Sequence, residues 1–297
     1  MEQKNTDALP KVQAPGIYRK RIGEFIVTAI DDGYLDISFA LLTNISASEA
    51  TDMLEAAYMP AIPQMNINTF VIQSKDRTTL VDSGGGGVNG WGGRLRATLA
   101  AANIDPSDID SILLTHAHPD HVNGLATFNS TPVFPNAELV LDERELEFWT
   151  GQGSVEAAPE AFRPFYYQAQ NGIEAYRKVL RTIKKDSEVL PGITAIPLYG
   201  HTPGHTGYVI HSGNDNLLIW GDIVHFPDIQ VARPEVTIAF DVDAGKATET
   251  RKRMLDMAAT DNLLVAGMHF TFPGFGRIKK SGKGFQLKKE FRSPSLL

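Results

Sequence analysis

The stretch Thr115-His116-Ala117-His118-Pro119-Asp120-His121-Val122-Asn123-Gly124 follows directly on the apolar run Ile112-Leu113-Leu114 and crowds three imidazoles and a carboxylate into six residues. A strand that ends in such a cluster delivers nitrogen and oxygen donors to the rim of a sheet, where a turn can fold them around a cation. With only 8 histidines in 297 residues, a polar loop does not acquire this density by chance. His116 and His118, two apart on an extended segment, point the same way and suit one ion. Asp120 and His121 follow where the chain turns and suit a second. The expectation is a site for two metal ions.

There is no cysteine, so thiolate ligands, iron–sulfur clusters and disulfides are excluded, and any ion must be held by His and Asp. The formal charge of −7 argues against nucleic acid as a partner, because a phosphate backbone needs a basic face. The one basic cluster, Lys279, Lys280, Lys283, Lys288 and Lys289, reads as a solvated, edge-protecting surface. With 42% hydrophobic and 21% charged residues the chain can build a sizeable core. Residues 1–12 hold no apolar core of signal-peptide length, and no run of about 18 apolar residues occurs, so the expectation is a cytoplasmic protein that does not engage a membrane.

Along the chain, residues 1–13 read as a loose tail, and 17–31 as two strands around Gly23-Glu24. Ser46-Ala47-Ser48-Glu49 has capping-box form before a helix over 47–58, which Pro60 ends. Strands follow at 68–73 and 78–82, a helix at 94–102, a capped turn at 104–108, a strand at 109–115 and another at 137–141, and a helix capped by Asp142 that runs through Trp149. The glycine run after Asp82 lacks the Lys-Ser/Thr of a phosphate loop and reads as a flexible loop that lets backbone approach the metals. Asp82 itself is a candidate acceptor for a metal-bound imidazole. Residues 151–172 read as a long aromatic loop, either lid or core packing, then a helix at 173–183. Strands at 193–198, on both sides of Gly213-Asn214-Asp215 and at 263–267, a helix at 246–258 and a basic tail over 279–297 complete the chain. Interleaving without a linker predicts one α/β domain over 1–297, with two mixed sheets and helices outside.

Three later polar residues share the setting of the opening motif. His201 follows Ile196-Pro197-Leu198, Asp222 follows Leu217-Leu218-Ile219-Trp220, and His269 comes soon after Leu263-Leu264-Val265. Strand ends at one edge of a sandwich converge, so these residues can complete the site. Seven donors at four strand ends make a coherent dinuclear centre.

This pattern resembles the metallo-β-lactamase superfamily, whose members carry His-x-His-x-Asp-His and then His, Asp and His in that order. The resemblance spans residues 65–275. It implies an αββα sandwich in which His116, His118 and His201 hold one metal, Asp120, His121 and His269 the other, and Asp222 bridges. His118 stands where the redox branch has Glu, so the donor set suits zinc in a hydrolase, with cobalt, manganese and iron left open. Two such ions about 3.5–4 Å apart activate a bridging water and polarise a carbonyl or phosphoryl oxygen. Asp120 either ligates only or also takes the water's proton.

Within the superfamily the chain is similar to the methyl parathion hydrolase-like group with its related lactonases and aryl esterases. The likeness rests on Ala14-Pro15-Gly16-Ile17-Tyr18, the motif at 116–121, Glu147-Phe148-Trp149, Gly200-His201-Thr202-Pro203-Gly204-His205-Thr206, Gly221-Asp222-Ile223-Val224-His225, and His269 followed by Phe272-Pro273-Gly274. It implies an aromatic pocket walled by Trp149 and Phe165, suited to a neutral substrate. Acyl-homoserine lactonases carry Tyr three residues beyond the bridging Asp, where this chain has His225, a candidate for stabilising the oxyanion or donating a proton. Organophosphate hydrolases carry an aromatic about where this chain has Asn89, with Trp91 two residues on. His205 and His211 read as structural.

The expectation is thus a dinuclear hydrolase of lactones and aryl esters with phosphotriester hydrolysis as a side activity. The alternatives are a phosphotriesterase, an acyl-homoserine lactonase or, from another class, a non-hydrolytic redox protein. The resemblance also points to a homodimer.

Overall fold

The computed structural model describes residues 13–60, 64–184 and 186–296. The expected N-terminal tail lies outside these residues but for its last position. A hairpin comes first, β1 (Ile17–Ile22) and β2 (Phe25–Asp36), paired antiparallel around Gly23-Glu24 as expected. A short β3 (Leu42–Thr43) leads to α1 (Ala47–Ala56), which opens on the full reciprocal capping box between Ser46 and Glu49. Then come β4 (Gln64–Gln73), β5 (Thr78–Val81), α2 (Leu95–Ala101), β6 (Ser111–Leu113), α3 (Pro119–Val122) and β7 (Glu138–Asp142). Next is α4 (Glu143–Thr150), where the Asp142 carboxylate accepts from the Arg144 N–H. After α5 (Ser154–Ala157) and α6 (Arg163–Glu174), β8 (Leu180–Ile183) completes a seven-stranded sheet ordered β1-β2-β4-β5-β6-β7-β8.

The second half builds a second sheet. β9 (Ser187–Leu190), β10 (Ile193–Pro197), β11 (Thr206–Ser212) and β12 (Asp215–Ile219) form a meander, and α7 (Pro227–Gln230), β13 (Thr237–Ile238) and α8 (Ala244–Thr260) intervene before β14 (Leu264–Ala266). β15 (Phe275–Ser281) and β16 (Gly284–Lys289) finish it, in the order β16-β15-β14-β12-β11-β10-β9. Both sheets are mixed: β5 to β8 run parallel to one another, as do β12 and β14, while the other pairings are antiparallel. The αββα sandwich expected from the sequence is the fold observed.

Period-two alternation explains how the layers form. Val81, Leu113 and Val140 face the second sheet and meet Tyr208, Ile219 and Ala266 between the sheets. Their neighbours Leu80, Ile112, Leu139 and Leu141 face outward, under α2, α4 and α6. Strands buried on both faces read as continuous apolar runs. Met254, Leu255 and Ala258 of α8 cover the outer face of the second sheet through Leu218 and Val265. Each fully buried aliphatic of this kind contributes about 1.5–3 kcal/mol.

Two expectations are corrected. Residues 151–172 are not an irregular loop but mostly α5 and α6, and the helix expected at 173–183 is the end of α6 followed by β8. The apolar positions Phe162, Tyr166, Ala169 and Ile173 recur at helical spacing, and Tyr166, Ala169 and Ile173 pack into the core. The basic tail expected over 279–297 is instead largely the β15–β16 hairpin. Its lysines are exposed on the edge of the second sheet, where they deter pairing with another strand.

The glycine-rich loop after β5 is held firmly, which also departs from expectation. The buried Asp32 carboxylate accepts the backbone N–H groups of Gly85 (2.9 Å), Gly93 (3.0 Å) and Leu95 (2.6 Å). Burial pushes this carboxyl up to about 6, against the pull of those N–H groups. Because the folded value exceeds the unfolded one, the native state binds the extra proton between roughly pH 4 and 6 and loses stability as pH rises through that window. The expected decline on this account is about 3 kcal/mol. In urea unfolding at pH 4, 5 and 6, Asp32→Asn should flatten that part of the slope, and an unchanged slope refutes the assignment.

Candidate metal centre

Four loops leave the same edge of the sandwich, after β6, β10, β12 and β14, and they carry His116 to His121, His201, Asp222 and His269 respectively. The structure brings all seven expected donors together. Potential ligand atoms of His116, His118 and His201 lie within 4.8 Å of one another, as do those of Asp120, His121 and His269, and those of His116, His121 and Asp222. Asp222 sits between the sets. Its Oδ2 is 3.1 Å from His269 Nε2, 3.4 Å from His201 Nε2 and 3.7 Å from His116 Nε2, and its Oδ1 is 3.3 Å from His121 Nε2. Asp120 Oδ2 lies 3.5 Å from the Nε2 atoms of both His121 and His269.

This chemistry fits divalent cations. His116 Nε2, His121 Nε2 and Asp222 Oδ1 are buried yet make no hydrogen bond, although they face a common space. Buried polar atoms almost always find partners, and three orphans converging among nitrogen and oxygen donors are what a metal site leaves when only protein atoms are counted. Among the side chains alone, burial drives the His116 and His118 rings well below the usual imidazole range. Burial would also raise the Asp222 carboxyl, but the imidazoles of His121, His269 and His116 hold it well below the usual carboxylate range. His116 and His118 are thus neutral and Asp222 ionised, the forms that bind metal. Burial would lower His121 and His269, but the Asp222 carboxylate holds both above the usual imidazole range, so a cation bound there would displace protons.

Three of the rings are fixed on the far side. Asp82, in the left-handed region at φ 58°, accepts from the Thr115 N–H and hydroxyl (both 2.7 Å) and pairs with His121 Nδ1 at 2.8 Å. Its place at a strand end makes it a candidate acceptor for that ring. His269 Nδ1 faces the Asn66 carbonyl at 2.7 Å, and His201 Nδ1 faces Asp241 Oδ1 at 2.8 Å. Burial would raise Asp241, yet the His201 imidazole brings it down to about 2. Such partners fix the tautomer and leave the other nitrogen for the metal. His205 does more than steady its own loop: its Nδ1 donates to the Leu198 carbonyl, and its Nε2 accepts the Asp222 N–H at 3.0 Å. His211 stays outside the centre, against Asn216 on the exposed face of the sheet.

Two close approaches require glycine. A Cβ at Gly124 would overlap the Ser83 carbonyl, and one at Gly221, at φ +56°, would run into the His205 ring. These residues let the loops bearing His121 and Asp222 nest against their supports.

His225, Phe165 and Trp91 line the mouth of the centre together with Leu35, Met65 and Phe240. His225 Nε2 is 3.2 Å from Asp222 Oδ2, and its ring stacks on His269. Trp149 is buried behind His118, with ring centroids 5.4 Å apart, and donates its indole N–H to Glu145 at 2.6 Å. Beside His118 opens a cavity of about 470 Å³ walled by Phe148, Trp149, Phe162, Phe165, Tyr166 and Phe240. Neither lining contains Lys or Arg. Asn89 lines neither space.

Residues 62–269 match the family described as the metallo-beta-lactamase superfamily. The chain belongs to the metallo-β-lactamase superfamily. Among solved structures of metallo-β-lactamase fold, one described as "hydrolase AbOPH in beta lactamase superfamily" superposes with a TM-score of 0.88 at 30% identity, over 94% of this chain and 99% of that one. AidC, described as a dizinc quorum-quenching lactonase in complex with the product N-hexanoyl-L-homoserine, superposes with a TM-score of 0.88 at 27% identity, over 93% and 98% of the two chains. The uncharacterized protein YobT of Bacillus subtilis (strain 168) is 28% identical over 57% of this chain and 65% of its own length. An N-acyl homoserine lactonase of Bacillus sp is 27% identical over 40% of each. The chain thus aligns with less than two thirds of the length of these two curated relatives.

Sequence reasoning missed Asp241, Glu145, Phe240, Leu35 and Met65. The first two are acids whose partners lie far along the chain; the others are apolar residues indistinguishable from core by pattern. Among the described residues no helix is long and apolar enough to cross a membrane.

Proposed function

We propose that this protein is a dinuclear metal-dependent hydrolase that opens lactones and cleaves aryl esters, with phosphotriester hydrolysis as a side activity. The observation that carries the reading is the seven-donor centre opening beside an aromatic cavity without Lys or Arg in its walls. Such walls favour a neutral substrate with an apolar acyl or aryl group. The likeness to the methyl parathion hydrolase-like group rests on motifs alone, so phosphorus chemistry ranks second. N-acyl homoserine lactones are the first lactones to test, because AidC is described as a lactonase holding the product N-hexanoyl-L-homoserine and the Bacillus enzyme as an N-acyl homoserine lactonase.

His116, His118 and His201 would hold one ion, Asp120, His121 and His269 the other, and Asp222 both; zinc suits this imidazole and carboxylate set. When bound, the two ions supply Lewis acidity for the substrate oxygen and lower the pKa of water. The chain's own residues handle protons and position. Asp120, whose carboxylate faces the mouth, takes a proton from the attacking water and returns it to the departing alkoxide. His225, also at the mouth, is placed to donate to the developing oxyanion. Phe165, Phe240 and Trp91 exclude bulk water and hold the apolar group.

The test is a hydrolysis panel on zinc-loaded protein: N-acyl homoserine lactones of several chain lengths, dihydrocoumarin, phenyl acetate and a methyl phosphotriester. No turnover above background on any lactone or ester rejects the reading. Ala157, exposed at the rim of the aromatic cavity, offers a second probe. Ala157→Trp should raise KM for long-chain lactones by about 10- to 100-fold while kcat and short-chain turnover stay near wild type. Equal effects on short and long chains would place the acyl group elsewhere.

A further inference from the structure

We infer that Glu145 is a positioning residue that locks the His116-His118 and His201 loops in register, and that it sets how tightly the ion at those three imidazoles is retained. The inference rests on the dinuclear reading above but concerns a residue that touches no ligand ring.

Glu145 lies on α4 with no exposed surface, and among the described residues no Lys or Arg forms an ion pair with it. Its Oε1 accepts from the Ala117 N–H (2.9 Å) and the Trp149 indole N–H (2.6 Å). Its Oε2 accepts from the Thr202 hydroxyl (2.6 Å) and the Gly204 N–H (3.1 Å). Ala117 is the residue between His116 and His118, while Thr202 and Gly204 follow His201. Trp149 forms the wall behind His118. One carboxylate thus spans two loops that come from different sheets, which also touch where the Thr206 N–H donates to the Thr115 carbonyl and at the donor cluster. The fit is close: a Cβ at Gly204 would run into the backbone of Glu145. An amide cannot replace this group. It has one acceptor oxygen, and its NH2 would face at least one N–H that now donates to Glu145. The second set of donors, Asp120, His121 and His269, makes no bond to Glu145 and is supported by Asp82 and Asn66 instead.

The experiment follows zinc release from wild type and Glu145→Gln with a chromogenic chelator, alongside total zinc content and the urea midpoint of each metal-free protein. Wild type should hold two equivalents. Glu145→Gln should lose one of them about 10- to 100-fold faster, with the other released within about twofold of the wild-type rate. A merely structural role would lower the metal-free midpoint and loosen both ions together, and that outcome overturns the inference. Unchanged release of both ions overturns it equally, while leaving the dinuclear reading intact. Fewer than two equivalents on wild type would instead defeat the dinuclear reading. If Glu145→Gln does not fold, Thr202→Val, which deletes a single donor, decides in the same way with a smaller shift in the same ion.

Discussion

Asp222→Asn is expected to leave the protein folded but with at most one firmly held ion and a kcat/KM on lactones or esters at least about 10³-fold lower. Asp222 is the donor that the proposed centre shares between its two sets, with its carboxylate oxygens 3.1–3.7 Å from nitrogens of five surrounding histidines. The amide removes the negative charge and turns an NH2 toward nitrogens that need to meet a cation. Losing the second ion forfeits several kcal/mol of transition-state stabilisation, and each 1.36 kcal/mol is about tenfold in rate. Metal content and kinetics on the same preparation test this. A variant that keeps two ions and stays within tenfold of wild type rules out the bridging role.

Asp241→Ala should produce the largest loss of stability, about 3–5 kcal/mol in urea unfolding of metal-free protein. Among the described residues Asp241 is the only carboxylate paired with Arg251, a guanidinium 1% exposed on α8. Arg251 also donates to the carbonyls of Ile223, Pro234 and Val236. Without Asp241 those three bonds remain, but the charge is buried without a counter-charge. The same change strips His201 Nδ1 of its acceptor, so zinc affinity should fall about 10- to 100-fold as well. Asp241→Asn keeps the shape and can still accept from His201, so its zinc affinity should fall less than that of the alanine variant. A stability change under about 1 kcal/mol for Asp241→Ala would mean that the carbonyls alone satisfy Arg251.

The donors were legible in the sequence because each follows an apolar strand, and the strand ends do meet at one edge. Asp82 was legible for the same reason. Glu145 and Asp241 were not: the first looks like an ordinary acid in a capped helix, and the partner of the second is 40 residues away. Only the packing of the loops gives either a role. In the aromatic stretch after Gly151 the Gly and Gln content suggests a loop, but the helical spacing of Tyr166, Ala169 and Ile173 carries the better signal. The β15–β16 hairpin was hidden by its lysines, although Phe285 and Leu287 alternate with Gln286 and Lys288 as an edge strand requires. In both cases polar composition outweighed periodicity, and burial on one face shows that periodicity was the physical determinant.

The first sheet is complete by Ile183, and the second begins at Ser187. His116 to His121 therefore belong to the first half of the chain, and His201, Asp222 and His269 to the second. In the proposed centre neither half owns a full ligand set for either ion, so each cation would act as a rivet between two halves that a ribosome delivers one after the other. High metal affinity can arise only after the halves dock, and the docked form alone gains stability from the ions. Zinc should consequently slow the parting of the sheets much more than it speeds their formation.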